Sequence, residues 1–468
     1  MYYAVHLAAE CYPIAKVGGL GDVVGALPKY LNEAGISSCV LMPKYNVKYN
    51  RDHSTETIYT GTCGNENYWF EYSIQRYSDA PLGFDVFLVD IPPYLFREGV
   101  YGYEDDSIRF IYFQQAALDW ICSWQTKPSV FHAHDYHAGL VPFMINHCYN
   151  FGTLAGIKTV FTIHNGLYSG DFSHALARFF PHFPREANGY LDWDHRINPL
   201  ATAIKCSNKV TTVSGGYLEE LQYQPNPYTW LYKEYAFKST GIVNGIDAAL
   251  WNPKTDDYLH TKLKKDFAKF KQANKEALCA SVGLDASKPL VVFIGRLNQE
   301  KGGEILCEGV GKFMAQTQEM NFFLLGSGDS NLENNLRVLT GFYPQNVANY
   351  IGYNEALAHN LYAAADFLLM PSLVEPCGLN QLYALRYGTI PIVRTVGGLK
   401  DTVVDFGEEG GYGIRFNQPH AGDVVMSLYR AKELYADKTR LKQVQDKAIS
   451  LDFSWELAVK KYIYLYEN

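Results

Sequence analysis

No stretch of the 468-residue chain approaches the apolar length needed to span a bilayer, and its first residues carry no charged segment followed by an apolar core of the signal-peptide kind. No basic block interrupts a net charge of −8 spread along the sequence, so the electrostatic footprint of a nucleic-acid-binding protein is missing. The 9 cysteines are odd in number, scattered and without metal-ligand spacing, which argues against a disulfide framework or a zinc site and for a reducing compartment. Neither a Ser-His-Asp elbow nor a P-loop lysine motif occurs, so hydrolase and kinase readings lose ground. Short-period repeats and low-complexity tracts are lacking as well. We expect a cytoplasmic protein that binds neither membrane nor nucleic acid.

What is present is an ordinary globular composition, 47% hydrophobic and 19% charged, long enough for two or more domains. Aromatic content of 15%, with 36 Tyr, suits core packing and equally the stacking of sugar rings and bases. Short β-rich runs alternate with helical stretches at Tyr3–Leu7, Ser38–Met42, Phe84–Val89, Val130–Ala133, Thr159–Ile163 and Val210–Val213. A second series follows at Leu290–Ile294, Phe322–Leu325, Asn349–Ile351, Phe367–Met370, Ile390–Val393 and Gly413–Phe416. Two such series predict an α/β protein of two doubly wound parallel-sheet domains, with ligand between them. The turn-rich stretch Gly241–Asn252 marks the boundary, giving domains 1–242 and 243–450 and a tail, 451–468. Ser454 and the spaced aromatics after it make that tail a final helix packing back on the first domain. Lys262–Lys275 reads as a charged surface helix.

The first strand runs into Lys16-Val17-Gly18-Gly19-Leu20-Gly21-Asp22, and a helix-like pattern interrupted by Pro28 follows. Strand, glycine-rich turn and helix N-terminus gather backbone N–H groups and a positive dipole end beside Lys16, an arrangement suited to phosphate, although a plain tight turn has the same composition. Val24 stands where the dinucleotide fingerprint needs its third glycine, and the second strand ends in Pro43-Lys44 rather than an acid, which weakens a nicotinamide reading.

Functional groups of an open parallel sheet gather at the carboxyl ends of strands. There the sequence places His132-Ala133-His134-Asp135-Tyr136-His137 and His164-Asn165-Gly166 in the first series. In the second it places Gly295-Arg296-Leu297 with Lys301-Gly302, then Gly352-Tyr353, then Pro371 to Leu379. For the histidine cluster, helix capping by Asp135 and hydrogen bonding to a polar ligand are favoured over a metal, because only His132 and His134 share a strand face. Asp192-Trp193-Asp194 has the acidic triplet form that holds divalent ions in some nucleotide-sugar enzymes, but it lies in a Pro- and Asn-rich loop and reads as solvated. Arg296 and Lys301, five apart across a strand-to-helix turn, supply a fork and a point charge for a departing diphosphate, with Lys16 facing it from the other domain.

Together these residues resemble a known family. Lys16-x-Gly18-Gly19-Leu20, Asp135, His164-Asn165, Asn244-Gly245-Ile246-Asp247, Gly295-Arg296-Leu297, Lys301-Gly302, Glu375-Pro376-Cys377-Gly378-Leu379 and Gly397-Gly398-Leu399 are similar to the motifs of bacterial glycogen synthases and plant starch synthases. The similarity runs from the first strand to Trp455.

That resemblance implies a GT-B fold, two Rossmann-like lobes with the active site in the cleft. It implies a retaining transfer of glucose from ADP-glucose to the non-reducing end of an α-1,4-glucan, with no cofactor and no metal. Lys16, Arg296 and Lys301 would hold the diphosphate with the Gly18 and Gly19 amides. Tyr353 would stack on the base, and Asn244 and Glu375 would contact the donor sugar or its surroundings, with Cys377 nearby. His164 would lie against the sugar and Asp135 would wall the glucose pocket. Asp22, Gly378 and Leu379 are carried with them as donor- or substrate-binding positions. The pattern departs at Tyr383, where many GT-B relatives have a second glutamate, at Asn198-Pro199-Leu200-Ala201 and at Tyr228–Tyr232. A related enzyme using UDP-glucose or another acceptor is the alternative, as in sucrose-phosphate synthases, although Cys377 in place of Phe counts against that branch. A scaffold without activity is a second rival, against which stand Lys16, Arg296, Lys301 and Glu375.

Overall fold

The computed structural model describes residues 3–78 and 82–468. The chain divides into two compact units, Met1–Val213 with Leu218–Ile242 and Trp455–Asn468, and Ser214–Tyr217 with Val243–Ser454.

In the first unit the strands are β1 (Ala4–Leu7), β2 (Ser38–Pro43), β3 (Thr55–Gly64), β4 (Trp69–Tyr77), β5 (Asp85–Asp90), β6 (Val130–His134) and β7 (Lys158–Ile163), then the two-residue pair β8 (Asp192–Trp193) and β9 (Arg196–Ile197), then β10 (Lys209–Thr212) and β11 (Ser239–Gly241). Nine of them form one sheet in the order β11-β10-β7-β6-β1-β2-β5-β4-β3. The sheet is parallel as far as β5, and β4 and β3 continue it antiparallel. The run from β1 to β10 matches the expected series, whereas the β3–β4 hairpin was not expected. Because β1 lies between β2 and β6, the sheet changes winding direction there, and its loop opens at the switch point where such sheets bind ligands.

The helix Gly19–Glu33 continues past Pro28, contrary to the expected interruption. Proline lacks the N–H that would bond the Val24 carbonyl, and the Cys11 thiol donates to that carbonyl instead, at 3.7 Å. The final helix, Trp455–Glu467, packs on this one. Trp455 stacks on Tyr30, and Val459, Tyr462 and Leu465 join Val23, Leu27 and Leu31 in one cluster. It begins four residues later than the tail expected from 451, because the Ile246 N–H donates to the Phe453 carbonyl and ties that stretch to the second unit.

The second unit holds a six-stranded all-parallel sheet of β12 (Leu290–Ile294), β13 (Asn321–Gly326), β14 (Val347–Ile351), β15 (Phe367–Met370), β16 (Ile390–Arg394) and β17 (Ile414–Phe416), ordered β14-β13-β12-β15-β16-β17. Both faces are covered. Val291 and Phe293 enter one core while Leu290 and Val292 enter the other, as period-two geometry requires. The winding direction changes at β12.

The expected surface helix is instead Phe267–Val282, capped by Asp266, and two of its lysines are buried. Lys275 pairs with Asp366 at 2.7 Å, and Lys271 donates to the Tyr362 carbonyl and the Thr389 hydroxyl. Burial without a carboxylate in direct contact lowers the Lys271 amine to about 7.

Candidate active site

At the end of β1 the chain turns through Glu10 before reaching the glycine-rich stretch. The Glu10 carboxylate, 3% exposed, accepts the Val17 and Gly18 N–H groups at 2.5 and 2.9 Å on one oxygen and the Tyr101 hydroxyl at 2.6 Å on the other. The Gly18 amide expected to hold phosphate is therefore occupied, by an internal anion that fixes the loop. Sequence reading missed Glu10. Its signal was a lone carboxylate at the end of an apolar strand, directly before the glycine turn.

Lys16 projects from this loop and pairs with Asp22 at 2.7 Å, both side chains partly open to water. A Cβ on Gly18 or Gly19 would meet nothing within 4 Å, whereas one on Gly25 would strike the Tyr12 carbonyl at 2.5 Å. Packing within the fold thus explains Gly25 but leaves open space at Gly18 and Gly19, beside the helix N-terminus.

Asp135 follows β6 with φ 54, and its side chain does not cap the short helical turn after it. Its Oδ1 instead accepts the His164 N–H at 2.7 Å, and the carboxylate also takes the Asn165 N–H, so it organises the loop after β7. Burial pushes this carboxyl up to about 7 despite those two donors. His164 is buried, and desolvation lowers its imidazole to about 3, so the ring is neutral at physiological pH.

Among the described residues, His6, His132 and His134 form the one group of three whose ligand atoms lie within 4.8 Å of one another. All their ring nitrogens but His6 Nε2 are already engaged within the fold. His132 bonds the Tyr466 hydroxyl and Thr162, His6 bonds His134, and no carboxylate balances the charge of an ion there. Asp194 and His195, at φ 52 and 59, form the corner of the β8–β9 hairpin, while Asp192 lies within β8 opposite Ile197 and its carboxylate accepts from His174.

In the second unit, the loop after β12 carries Arg296, exposed and without a hydrogen bond or ion pair among the described residues, and Lys301. Lys301 Nζ donates to both oxygens of Glu375, at 2.6 and 2.7 Å, and the Ser372 hydroxyl donates to one of them at 2.9 Å. Glu375 lies in the loop after β15 and is 4% exposed. That loop is clamped from behind by glycine. A Cβ on Gly397 would lie 2.1 Å from the Glu375 carbonyl, and one on Gly398 equally near the Cys377 carbonyl.

The Asn244 N–H donates to the Cys377 sulfur, while Asn244 Oδ1 is buried and unpartnered. Burial pushes the Cys377 thiol up to about 12, so it is no nucleophile at neutral pH. Gly378 has φ 73 and leads through Leu379 into the helix Asn380–Arg386. Tyr353, after β14, is 81% exposed. The structure thus gathers Lys16, Gly18, Gly19 and Asp22 on one loop and His164 with Asp135 on two neighbouring ones. In the second unit it gathers Lys301, Glu375, Cys377 and Asn244, while Arg296 and Tyr353 are exposed.

Residues 4–232 match the family described as starch synthase catalytic domain, and residues 274–438 match that of glycosyl transferases group 1. A glycogen synthase of Flavobacterium johnsoniae is 46% identical, with 98% of each chain covered, and one of Bacillus anthracis is 36% identical with the same coverage. Among solved structures, the catalytic domain of starch synthase IV from Arabidopsis thaliana, bound to ADP and acarbose, superposes with a TM-score of 0.89 at 31% identity, covering 100% of this chain and 99% of that one. Sucrose-phosphate synthase from Thermosynechococcus elongatus, at TM-score 0.64 and 18% identity, covers 100% of this chain and 98% of its own and shares the fold alone. Two parallel-sheet units of the GT-B kind, strand-end loops bearing Lys16 and Lys301, and full-length identity of this order together mean that the chain belongs to the glycogen and starch synthase family of glycosyltransferases.

Proposed function

We propose that the protein transfers glucose from ADP-glucose to the non-reducing end of an α-1,4-glucan with retention of configuration, and that Lys16, Arg296 and Lys301 neutralise the departing diphosphate. The observation that carries this is the pairing of Lys301 with Glu375, a cation held by a buried carboxylate at the switch point of its sheet, in a glucosyltransferase whose other sheet presents Lys16 at the equivalent place. ADP in the Arabidopsis relative supports the choice of donor nucleotide.

The chemistry asks little of acid–base pairs. The bond from the anomeric carbon to the phosphate oxygen breaks with its electron pair on phosphate. The acceptor hydroxyl attacks from the same face and gives its proton to that oxygen. Fixed cations stabilise the charge that develops, and neither Cys377, held as a thiol, nor the neutral His164 ring serves as nucleophile or cationic acid. On this reading His164 and Asp135 line the sugar side, Tyr353 stacks on the base, and Asn244 and Glu375 border the donor sugar with Gly378 and Leu379.

Nucleotide release with and without glycogen, run in parallel with ADP-glucose and UDP-glucose, tests the proposal. Release should require glucan and favour ADP-glucose. Equal or better use of UDP-glucose would overturn the donor assignment, and release indifferent to glucan would overturn the acceptor.

A further inference from the structure

Behind His164, inside the first unit, stands a file of histidines that the reaction as described does not use. His164 Nε2 lies 3.0 Å from His134 Nδ1, and His134 Nε2 lies 3.0 Å from His6 Nδ1. The file ends at His6 Nε2, which is sealed in the core with no partner. At the other end His164 Nδ1 makes no hydrogen bond among the described residues and is not among the sealed atoms, so it is the ring nitrogen left for a ligand. His132 stands beside the file, stacked on His134 with ring centroids 4.1 Å apart, and both its nitrogens are taken by Tyr466 and Thr162.

Burial keeps these rings neutral, His6 and His164 lowered to about 3 and His134 well below its ordinary range. A neutral imidazole carries one N–H, and each of the two contacts needs one hydrogen. Only two arrangements of three protons satisfy both contacts. In one, every ring donates from Nδ1, and a lone pair is left at His6 Nε2. In the other, every ring donates from Nε2, and a polar N–H is left facing the core with no acceptor. A buried donor without an acceptor is the rarer defect, so the sealed end selects the first arrangement.

We propose that His6 and His134 are positioning residues that hold His164 as its Nδ1–H tautomer, so that this ring offers a donor to a hydroxyl oxygen of the transferred sugar. The proposal rests on the reading that His164 lies against that sugar. His6 acts from two rings away and touches no substrate.

The experiment combines imidazole nitrogen NMR of the unmodified full-length protein, labelled at histidine, with kinetics of His6→Leu and His6→Asn in native and His164→Ala backgrounds. The spectrum should show His164 protonated at Nδ1. His6→Leu, which removes the donor to His134, should lower kcat/KM about tenfold, the factor expected for one lost hydrogen bond in the transition state, and His6→Asn, which keeps an N–H near that place, should recover most of it. Once His164 is alanine, His6→Leu should cost nothing further. His164 protonated at Nε2, equal activities for His6→Leu and His6→Asn, or an undiminished loss in the His164→Ala background would each overturn the relay. Unchanged turnover in His164→Ala alone would overturn the sugar-side placement of His164 and so the sugar-facing role, and the spectrum would still decide the tautomer.

Discussion

Replacing Lys301 by methionine keeps the length and apolar stem of the side chain and removes its charge. In the resting protein this strands Glu375, whose carboxylate is 5% exposed and is left with the Ser372 hydroxyl as its remaining side-chain donor. Breaking a buried pair from one side costs about 3–5 kcal/mol, and the lower end applies because the Lys301 side chain is 26% exposed and water can enter the gap. For a unit of roughly two hundred residues, about 3 kcal/mol lowers Tm by about 6–12 °C. Turnover has a separate origin. A charge-assisted hydrogen bond to the leaving diphosphate contributes about 1.5–3 kcal/mol, so kcat/KM should fall roughly 10- to 150-fold.

The second substitution Glu375→Gln separates the two losses, because a neutral amide needs no cation beside it. The Lys301→Met/Glu375→Gln protein should melt within about 1 kcal/mol of the parent while remaining as slow as the single variant or slower. Calorimetry reads the first and steady-state glucosyl transfer the second. A single variant that melts with the parent and keeps its turnover within about twofold would refute the reasoning. So would a double variant that recovers no stability.

Three further outcomes follow from the same geometry. Lys16→Ala should lose about ten- to several-hundredfold in kcat/KM, with Lys16→Arg recovering only part because a planar fork replaces a point charge beside Asp22, and a folded Lys16→Ala protein with normal turnover would remove Lys16 from the site. Because burial raises the Asp135 carboxyl from near 4 in the unfolded chain to about 7, its contribution to stability is complete below about pH 4 and is lost as pH rises to about 7; Asp135→Asn should gain on the parent in Tm across that window, and parallel melting curves would contradict it. Turnover should survive a chelator and need no added magnesium or manganese, whereas activity abolished by chelation and restored by either ion would bring Asp192 and Asp194 back as ligands.

The parallel strands were legible because burial on both faces leaves continuous apolar runs such as Val291–Ile294 and Phe322–Leu325. The β3–β4 hairpin was not. Thr55–Gly64 buries only Cys63 fully, so no apolar run announces a strand that meets the core at the edge of the sheet. Lys271 and Lys275 misled for a related reason. Lysines in a charged helical pattern mark a solvent face unless an acid is brought to them, and Asp366 reaches Lys275 from the turn before β15.

The candidate site divides along the same line between local and distant information. Lys16, Lys301 and Glu375 stand in loops whose composition betrays a strand end, so their position was legible, but the state of their charges was not. That state is set by carboxylates brought in by the fold: Asp22 on Lys16, Glu375 on Lys301 across 74 residues, and Glu10 on the amides of the glycine turn. Lys16, Lys301 and the amides of the glycine turn are therefore each oriented by an internal anion. A diphosphate arriving at either loop exchanges a carboxylate for a phosphate oxygen rather than ordering a loose side chain from water. The net attraction is smaller than bare charges would give, and the reorganisation left for the moment of glucosyl transfer is smaller too, which is the condition under which fixed charges accelerate a departing anion most.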